Sequence, residues 1–595
     1  MGNIFGFTWD DKNLLKKTIK NTNNDGYYKF YVDEGISVAF QEDHDIKSID
    51  NEKRKNENYV LFSDGLILDG IGTGNHNIEK SILKGTPGSF VSVLWFPKER
   101  RLILVRNGLG SQPLYYFKKE DKLIFSTKLK CIIPFLKKRK INKNVLDSFL
   151  TFRFNTYRKH SLLEQIKKLP SNFFLDFKNE LKIKGIKTPK SSYSHKNHVY
   201  YLTALKHFFE SFMKRLLDFE GNLGIFLSGG IDSSFLVALA DRFHENIKTY
   251  TISLNKGTQG ASEVISNMFG TEHNIINRIE NPFSYLPKVL ENTSAPPFDP
   301  THIPIYKLLE ESSECDLILM GNGADEQFGG YEIDVLCDLI SRYNNLISSK
   351  LFSKFAHLVP PNLFNMFAKP RKGYGSLMKR RISSTFSRSK NPYEVWESMN
   401  SVFDYDSRRK LFSFRSPQNY FIPEKMRYGD GNNFLDRILR FEQKTKLESQ
   451  EIEPVMELSN NFSSLIASPF LNNCILRISN EIPKEYKINR SEKKWMLREL
   501  SRKYLPKDIS KRKKSHFSPP LKNWLEGESL EICKNILSKD RLSKHGLFEY
   551  DYINKIFQER RESSFLANRM LWSLVVFQLW YEMYVENHDF GFRYP

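Results

Sequence analysis

Cysteine is scarce in this sequence: five residues in 595, at positions 131, 315, 337, 474 and 533, an odd number with no CxxC spacing. That pattern argues against both a disulfide framework and a cysteine-ligated zinc site. Also missing is any apolar run of the roughly eighteen residues that a membrane-spanning helix needs. The most apolar late stretch, Met570 to Trp580, is interrupted by Ser573 and Gln578 and reads as a buried helix. The start, MGNIFGFTWDDKN, has no basic segment leading into a long apolar one, so a secretory signal is not expected. Gly6 stands where a myristoylation motif wants Ser or Thr. No repeat and no extended low-complexity tract is visible. A cytoplasmic protein with no membrane partner is the expectation.

What is present is an ordinary globular composition, 40% hydrophobic and 14% aromatic, in a chain long enough for several cores. The net charge of +21 would suit an acidic partner. The basic residues, however, are spread along the chain, and lysine, asparagine, isoleucine and phenylalanine are all abundant, which reads as compositional bias over a solvated surface. No nucleic-acid partner is expected. The local clusters Lys137–Lys140 and Lys511–Lys514 are candidates for binding anions.

The clearest boundary is around 186–196, in the polar run KTPKSSYSHKN, and divides the chain into expected units 1–190 and 196–595. Before it, short apolar runs at Val60–Phe62, Phe90–Trp95, Arg101–Val105 and Lys122–Ser126 predict a sheet-rich unit. After it, strand and helix patterns alternate: Leu223–Leu227, Ser233–Phe243, Lys248–Leu254, Ala261–Met268 and Asp316–Met320. That alternation predicts a parallel sheet covered on both faces. From about 335 onward the pattern is mainly helical, including Tyr393–Asn400, Asn433–Lys446 and Arg569–Tyr584.

Between the first of those strands and its helix lies Phe226-Leu227-Ser228-Gly229-Gly230-Ile231-Asp232-Ser233-Ser234. Gly229 and Gly230 let backbone approach an anion, Ser228, Ser233 and Ser234 offer hydroxyls, and the helix start offers free N–H groups. Asp232 beside phosphates implies an intervening cation, so Mg2+ is expected together with ATP. No GxxxxGK[ST] loop is present here, so γ-phosphoryl transfer is not indicated. The SGGxDS run instead resembles the signature of the PP-loop ATP pyrophosphatases, which cleave ATP between its α- and β-phosphates. Gly70-Ile71-Gly72-Thr73-Gly74 is not GxGxxG and reads as an ordinary loop. A second turn, Gly321-Asn322-Gly323-Ala324-Asp325-Glu326-Gln327-Phe328-Gly329-Gly330-Tyr331, also follows a strand. Open α/β sheets bind ligands at such carboxyl ends, and Asp325 can share the cation with Asp232.

These two turns, with the later Arg512-Lys513-Lys514-Ser515-His516-Phe517-Ser518-Pro519-Pro520, resemble the asparagine synthetase family over nearly the whole chain. Lys494-Trp495-Met496-Leu497-Arg498, then Tyr504-Leu505-Pro506, and Trp524-Leu525 match the family's K-x-x-L-R, Y/F-L-P and W-L around that motif. The resemblance implies a degenerate Ntn-hydrolase-like, β-rich sandwich, then a doubly wound parallel-sheet PP-loop domain with a helical C-terminal part. It implies a catalytic role for Lys514 beside Asp232 and Asp325, a nucleotide loop of Ser228–Ser234 with Gly321 and Gly323, and a metal on Asp232 and Asp325.

Members with a working glutaminase begin Met-Cys-Gly, and the cysteine is the nucleophile; this chain begins Met1-Gly2-Asn3. Gly2 has no side chain and cannot carry acyl transfer. Asp64-Gly65-Leu66 stands for the family's N-G-E, Asn107 for the aspartate that holds the glutamine amine, and no H-R-G-P-D-like run supplies an arginine. A scaffold without glutamine hydrolysis is the expectation.

Two further departures concern the other site. Asn322 replaces a glutamate suited to accept a proton from attacking ammonia, and Leu465–Asn472 replaces E-x-R-x-P-F-L-D. The resemblance then implies adenylation of a small-molecule or peptide carboxylate and its transfer to an amine or free ammonia, as in lasso-peptide cyclases and β-lactam synthetases. An ammonia-dependent asparagine synthetase, a sugar amidotransferase and a non-catalytic nucleotide-binding scaffold are the alternatives; a homodimer stays open.

Overall fold

The computed structural model describes residues 3–21, 28–41, 53–55, 59–67, 88–186, 196–253, 256–343, 392–414, 433–462, 464–489, 492–510, 519–560 and 564–587. Gly2, Gly70–Gly74, the centre of the 186–196 boundary run and the whole of Lys511–Ser518, Lys514 included, lie outside them.

The first part is built from alternating strands. One six-stranded sheet runs in the order Lys167–Leu169, Leu114–Lys119, Lys122–Ser126, Ile4–Phe7, Ile36–Gln41 and Tyr28–Asp33, and a second in the order Leu181–Gly185, Phe173–Phe177, Arg101–Asn107, Gly88–Phe96, Val60–Ile67 and Lys53–Lys55. Every pairing within both is antiparallel. Alternation sends one side chain in two inward. Val38 and Phe125 of the first sheet therefore share a fully buried core with Phe62, Val93 and Leu104 of the second. Burying a large apolar side chain is worth about 1.5–3 kcal/mol, so this shared layer fixes the sandwich.

The second part carries a five-stranded sheet in the order Glu272–Ile276, Ile247–Ile252, Leu223–Phe226, Leu317–Leu319, Leu465–Ala467, parallel throughout. Two groups of helices cover it: Ile231–Ala240 with Lys256–Phe269, and Leu286–Asn292, His302–Glu311 and Glu453–Ser459. The expected doubly wound sheet is therefore present. Within the later chain, mainly helical as expected, Leu465–Ala467 adds an edge strand paired to Leu317–Leu319. Three apolar residues before Ser468 and Pro469 are too short to declare a strand by alternation.

Asn433–Lys446 also differs from a plain helix. An α-helix over Phe434–Glu442 passes into a π-helix over Gln443–Ile452 and back to α over Glu453–Ser459. Ser564–Tyr584 forms the buried C-terminal helix, with Trp572 and Trp580 inside. Among the described residues no helix is long and apolar enough to cross a membrane. No disulfide joins any of the five cysteines.

Candidate functional site

In the parallel sheet the chain order of strands reverses between Leu223–Phe226 and Leu317–Leu319, which are neighbours. A crevice opens at the carboxyl ends of such a pair because the connections leave in opposite directions. Both turns singled out in the sequence leave from here. After Phe226 the loop tightens at Gly229, whose φ is +70° and where a Cβ would lie 2.5 Å from Ala261 Cβ. The Ser228 N–H donates to Ser233 Oγ at 3.2 Å, and the Gly230 N–H to Ser228 Oγ at 3.4 Å. The helix Ile231–Ala240 starts behind Gly230 with no side chain capping it, leaving first-turn N–H groups for an anion. Ser234 sits fully buried on that helix, its hydroxyl without a partner among the described residues.

The second turn approaches closely. A Cβ on Gly321 would lie 3.3 Å from Asp232 Cβ, and Gly323, at φ +93°, opens the short helix Ala324–Phe328 that carries Asp325. Asp232 and Asp325 meet around one cation, the Lys494 ammonium. Its Nζ donates to Asp232 Oδ1 and Oδ2 at 2.8 and 2.7 Å and lies 2.8 Å from Asp325 Oδ1. The lysine side chain is 4% exposed, the two carboxylates 18% and 13%. Burial works to lower the Lys494 pKa, but Asp232 and then Asp325 outweigh it, and the ammonium is held at about 12. Gly330 closes the cluster, since a Cβ there would fall 1.7 Å from Asp325 Oδ1 and 2.5 Å from Lys494 Cε. Among the described residues no group of three or more His, Cys, Asp or Glu could hold a metal. Two carboxylates converging on one cation nevertheless suit Mg2+, which takes one or two protein carboxylates and completes its shell with phosphate and water.

Beside this pair is an acid that no motif announced. Asn322 Nδ2 donates to Glu451 Oε2 at 3.4 Å, and Tyr331 Oη donates to Glu451 Oε1 at 3.3 Å and to Glu326 Oε1 at 2.5 Å. Lys446 Nζ lies 3.3 Å from Glu326 and 3.7 Å from Glu451, over the Tyr331 ring. Burial works to lower the Lys446 pKa, but Glu326, Glu442 and Glu451 outweigh it and raise it. Burial, then Glu326 and Glu451, raises the Tyr331 hydroxyl well above its usual value. Lys446 and Glu451 both ride the π-helix, whose widened turns are a recurrent feature of functional sites.

A family model described as asparagine synthase matches residues 204–582. The chain belongs to the asparagine synthase family. It is a carbon–nitrogen ligase that uses ATP for amidation, with a carboxylate as one substrate and an amine or ammonia as the other. A second model, a glutamine amidotransferase domain, matches residues 74–187. The chain is 24% identical over 604 residues to glutamine-hydrolyzing asparagine synthetase 1 of Bacillus subtilis (strain 168), covering 96% of this chain and 89% of that one. It is 21% identical over 524 residues to a protein named Amidase chyE of Penicillium rubens, covering 79% and 75%. Among solved structures, an NH3-dependent NAD synthetase from Campylobacter jejuni matches with 18% identity and a TM-score of 0.17, over 22% of this chain and 61% of that one.

In this asparagine synthase-family enzyme the amidotransferase-like sandwich is filled by its own polar groups. Asn107 Nδ2 donates to the Gly88 carbonyl at 2.9 Å, and Gln112 Nε2 donates to Asp64 Oδ2 at 3.0 Å. Gln112 and Asn460 exchange two amide hydrogen bonds, and Asn460 donates to Asn3, so the first strand is tied to the second part through side-chain amides. A small cavity of about 20 Å³ lies where Leu66, Ser89 and Gly110 face Ala467, Leu471 and Asn472; no residue of Ser228–Ser234 lines it. Deeper in the interface, Arg106 and Arg158 hold Glu448 at 2.9 and 3.0 Å, while Lys168 and Arg106 hold Glu453 at 2.8 and 3.0 Å. Burial works to raise the Glu448 pKa, but Arg158 and Arg106 outweigh it and hold the carboxyl at about 2.

Sequence reasoning named Asp232 and Asp325, which the fold brings together. It quoted Lys494 and Gly330 inside motifs without giving them a task. Lys446, Glu448 and Glu451 carried no signal at all.

Proposed function

We propose that this ligase joins a carboxylate to ATP as an acyl-adenylate with release of pyrophosphate, and passes the acyl group to an amine or free ammonia without hydrolysing glutamine. The observation that carries this reading is the convergence of Asp232 and Asp325 on one cation beside the Ser228–Ser234 loop. ATP is a substrate here. The uncapped N–H groups of Ile231 and Asp232 at the helix start and the Ser228 and Ser233 hydroxyls would bind its phosphates, with Gly321 and Gly323 shaping the facing turn. Asp232 and Asp325 would hold Mg2+, which when bound neutralises charge on the departing pyrophosphate. Lys514 would place a cation at the α-phosphate. Glu451, 3.4 Å from the Asn322 amide, would accept the proton of the attacking amine in place of the acid missing at 322.

The division into a 1–190 scaffold and a 196–595 synthetase unit is part of the same reading. It is supported by Gly2, which offers no nucleophile, and by Asn107 and Asp64, whose hydrogen bonds are made inside the sandwich. An ammonia-dependent asparagine synthetase is the second reading, favoured by Glu451 beside Asn322. The test incubates the enzyme with ATP, Mg2+, L-aspartate and ammonium, and separately with glutamine. AMP and pyrophosphate as the nucleotide products, with no glutamate from glutamine, are expected; ADP formation or glutamate release would sink the proposal. Asparagine formation would select the second reading over a peptide or glycan substrate.

A further inference from the structure

The Asp232–Asp325 pair already has a cation, and it is part of the chain. Lys494 Nζ sits within 2.8 Å of both carboxylates, its side chain 4% exposed. Its backbone is left-handed, φ 53°, at the start of the helix Trp495–Ser501. Few non-glycine residues adopt that conformation, and those that do are held there by their surroundings. Gly330 leaves room for the arrangement, because any side chain there would strike Asp325 and Lys494 together. With the ammonium between them the two aspartates have a net charge of −1, too little to draw a divalent ion from its water shell. An ammonium and a divalent cation also repel one another and cannot occupy the same gap. A nucleoside triphosphate changes the balance, since its phosphates offer the ammonium a new partner. The lysine stem is long enough for Nζ to move without the backbone.

We propose that Lys494 is an internal cation that occupies the metal's place in the nucleotide-free enzyme and yields it only when a triphosphate receives the ammonium. Metal binding is thereby conditional on ATP, and the two ligands reinforce each other through one side chain. The inference rests on the reading of Asp232 and Asp325 as the metal pair.

The probe is Mn2+ binding to the full chain, followed by electron paramagnetic resonance, with no nucleotide present. Wild type is expected to show no saturable site in the micromolar range, and Lys494→Met to bind Mn2+ at least about tenfold more tightly, as a coupling of ordinary size requires. Lys494→Arg, which keeps the charge, is expected to behave as wild type. Equal Mn2+ affinity in wild type and Lys494→Met overturns the proposal. Should Lys494→Met not fold, thermal denaturation of wild type decides: Mn2+ alone is expected to leave the midpoint unchanged. A rise that Asp232→Asn abolishes overturns the proposal. The underlying reading fails separately if Asp232→Asn and Asp325→Asn both bind Mn2+ with α,β-methylene ATP as tightly as wild type.

Discussion

The sandwich and the parallel sheet each bring polar turns to a crevice, and the two crevices differ in what those polar groups face. In the sandwich they face one another: Asn107 bonds to Gly88, Gln112 to Asp64 and Asn460, and Asn3 to Asn460. In the parallel sheet two carboxylates converge on the Lys494 ammonium, and the helix after Gly230 starts uncapped. A polar group satisfied inside the protein has little left to offer a ligand, because exchanging its partner gains almost nothing. Carboxylates held together by a lysine can exchange that lysine for a metal and a phosphate. The proposed scaffold and the proposed site thus differ in partner choice, and substitutions on each side of the molecule test that difference.

The largest effect is expected at Asp232 and Asp325. Replacing either by asparagine keeps the shape and removes a negative charge from the proposed metal pair, so the proposed AMP and pyrophosphate release should fall by about 10³-fold, the scale for losing a group that stabilises transition-state charge. Turnover within tenfold of wild type would make the two crevices equivalent and remove the ground for the comparison. Lys514→Ala should fall in the same range.

Next comes the interface that joins the two regions. Arg106 is fully buried between Glu448 and Glu453, so Arg106→Leu leaves Glu448 to Arg158 and Glu453 to Lys168 alone and should cost about 3 kcal/mol of stability in urea unfolding. The pair also has a pH signature. Glu448 is moved from 4.5 in the unfolded chain to about 2 in the fold, by arginine charges that outweigh its burial. A depressed carboxylate stabilises the fold above the unfolded value and loses that contribution as pH falls through 4.5 toward 2, about 3 kcal/mol in all. Glu448→Gln should flatten this acid limb. An unchanged limb would place the first part outside the folding unit that holds the π-helix.

A smaller and more selective change is expected at Glu451. Glu451→Gln should slow amide formation by about 10²-fold while leaving ATP–pyrophosphate exchange intact, because a proton acceptor acts only after the acyl group is activated. Equal loss in both assays would assign Glu451 to adenylation.

The contrast between the crevices was only partly legible in the sequence. Strands such as Lys122–Ser126 and the helix after Ser228 follow from periodicity, and the loop glycines from the conformations they permit. Asp232 and Asp325 were readable because each follows a strand in a turn of telling composition. Glu448 and Glu451 were not, since acids three apart on a helical stretch look like a solvated face until a buried arginine is found opposite one of them. The π-helix is equally silent, because Gln443–Ile452 is polar and no pattern of apolar residues betrays its wider turn. Lys494 lay in a visible motif, but its partners are 262 residues away at Asp232 and in a second loop at Asp325.

The smallest effect is expected where the sequence departs most plainly from its glutamine-hydrolysing relatives. Gly2→Ala adds one methyl group at a position that offers no nucleophile, so AMP release with any productive carboxylate and amine should stay within about twofold, in keeping with a change outside the reacting groups. Gly2→Cys sharpens the point. It restores a thiol, yet Asn107 still holds the Gly88 carbonyl and Asp64 still accepts from Gln112, so both of these side chains are already engaged. No glutamate should appear with either variant. A nucleophile acts only on a substrate held within reach, and effective concentration on the order of 10⁵ M or more is lost when the holding groups are engaged elsewhere. Glutamate release by Gly2→Cys alone would mean that the sandwich's internal hydrogen bonds open readily, and the distinction drawn between satisfied and available polar groups would fall.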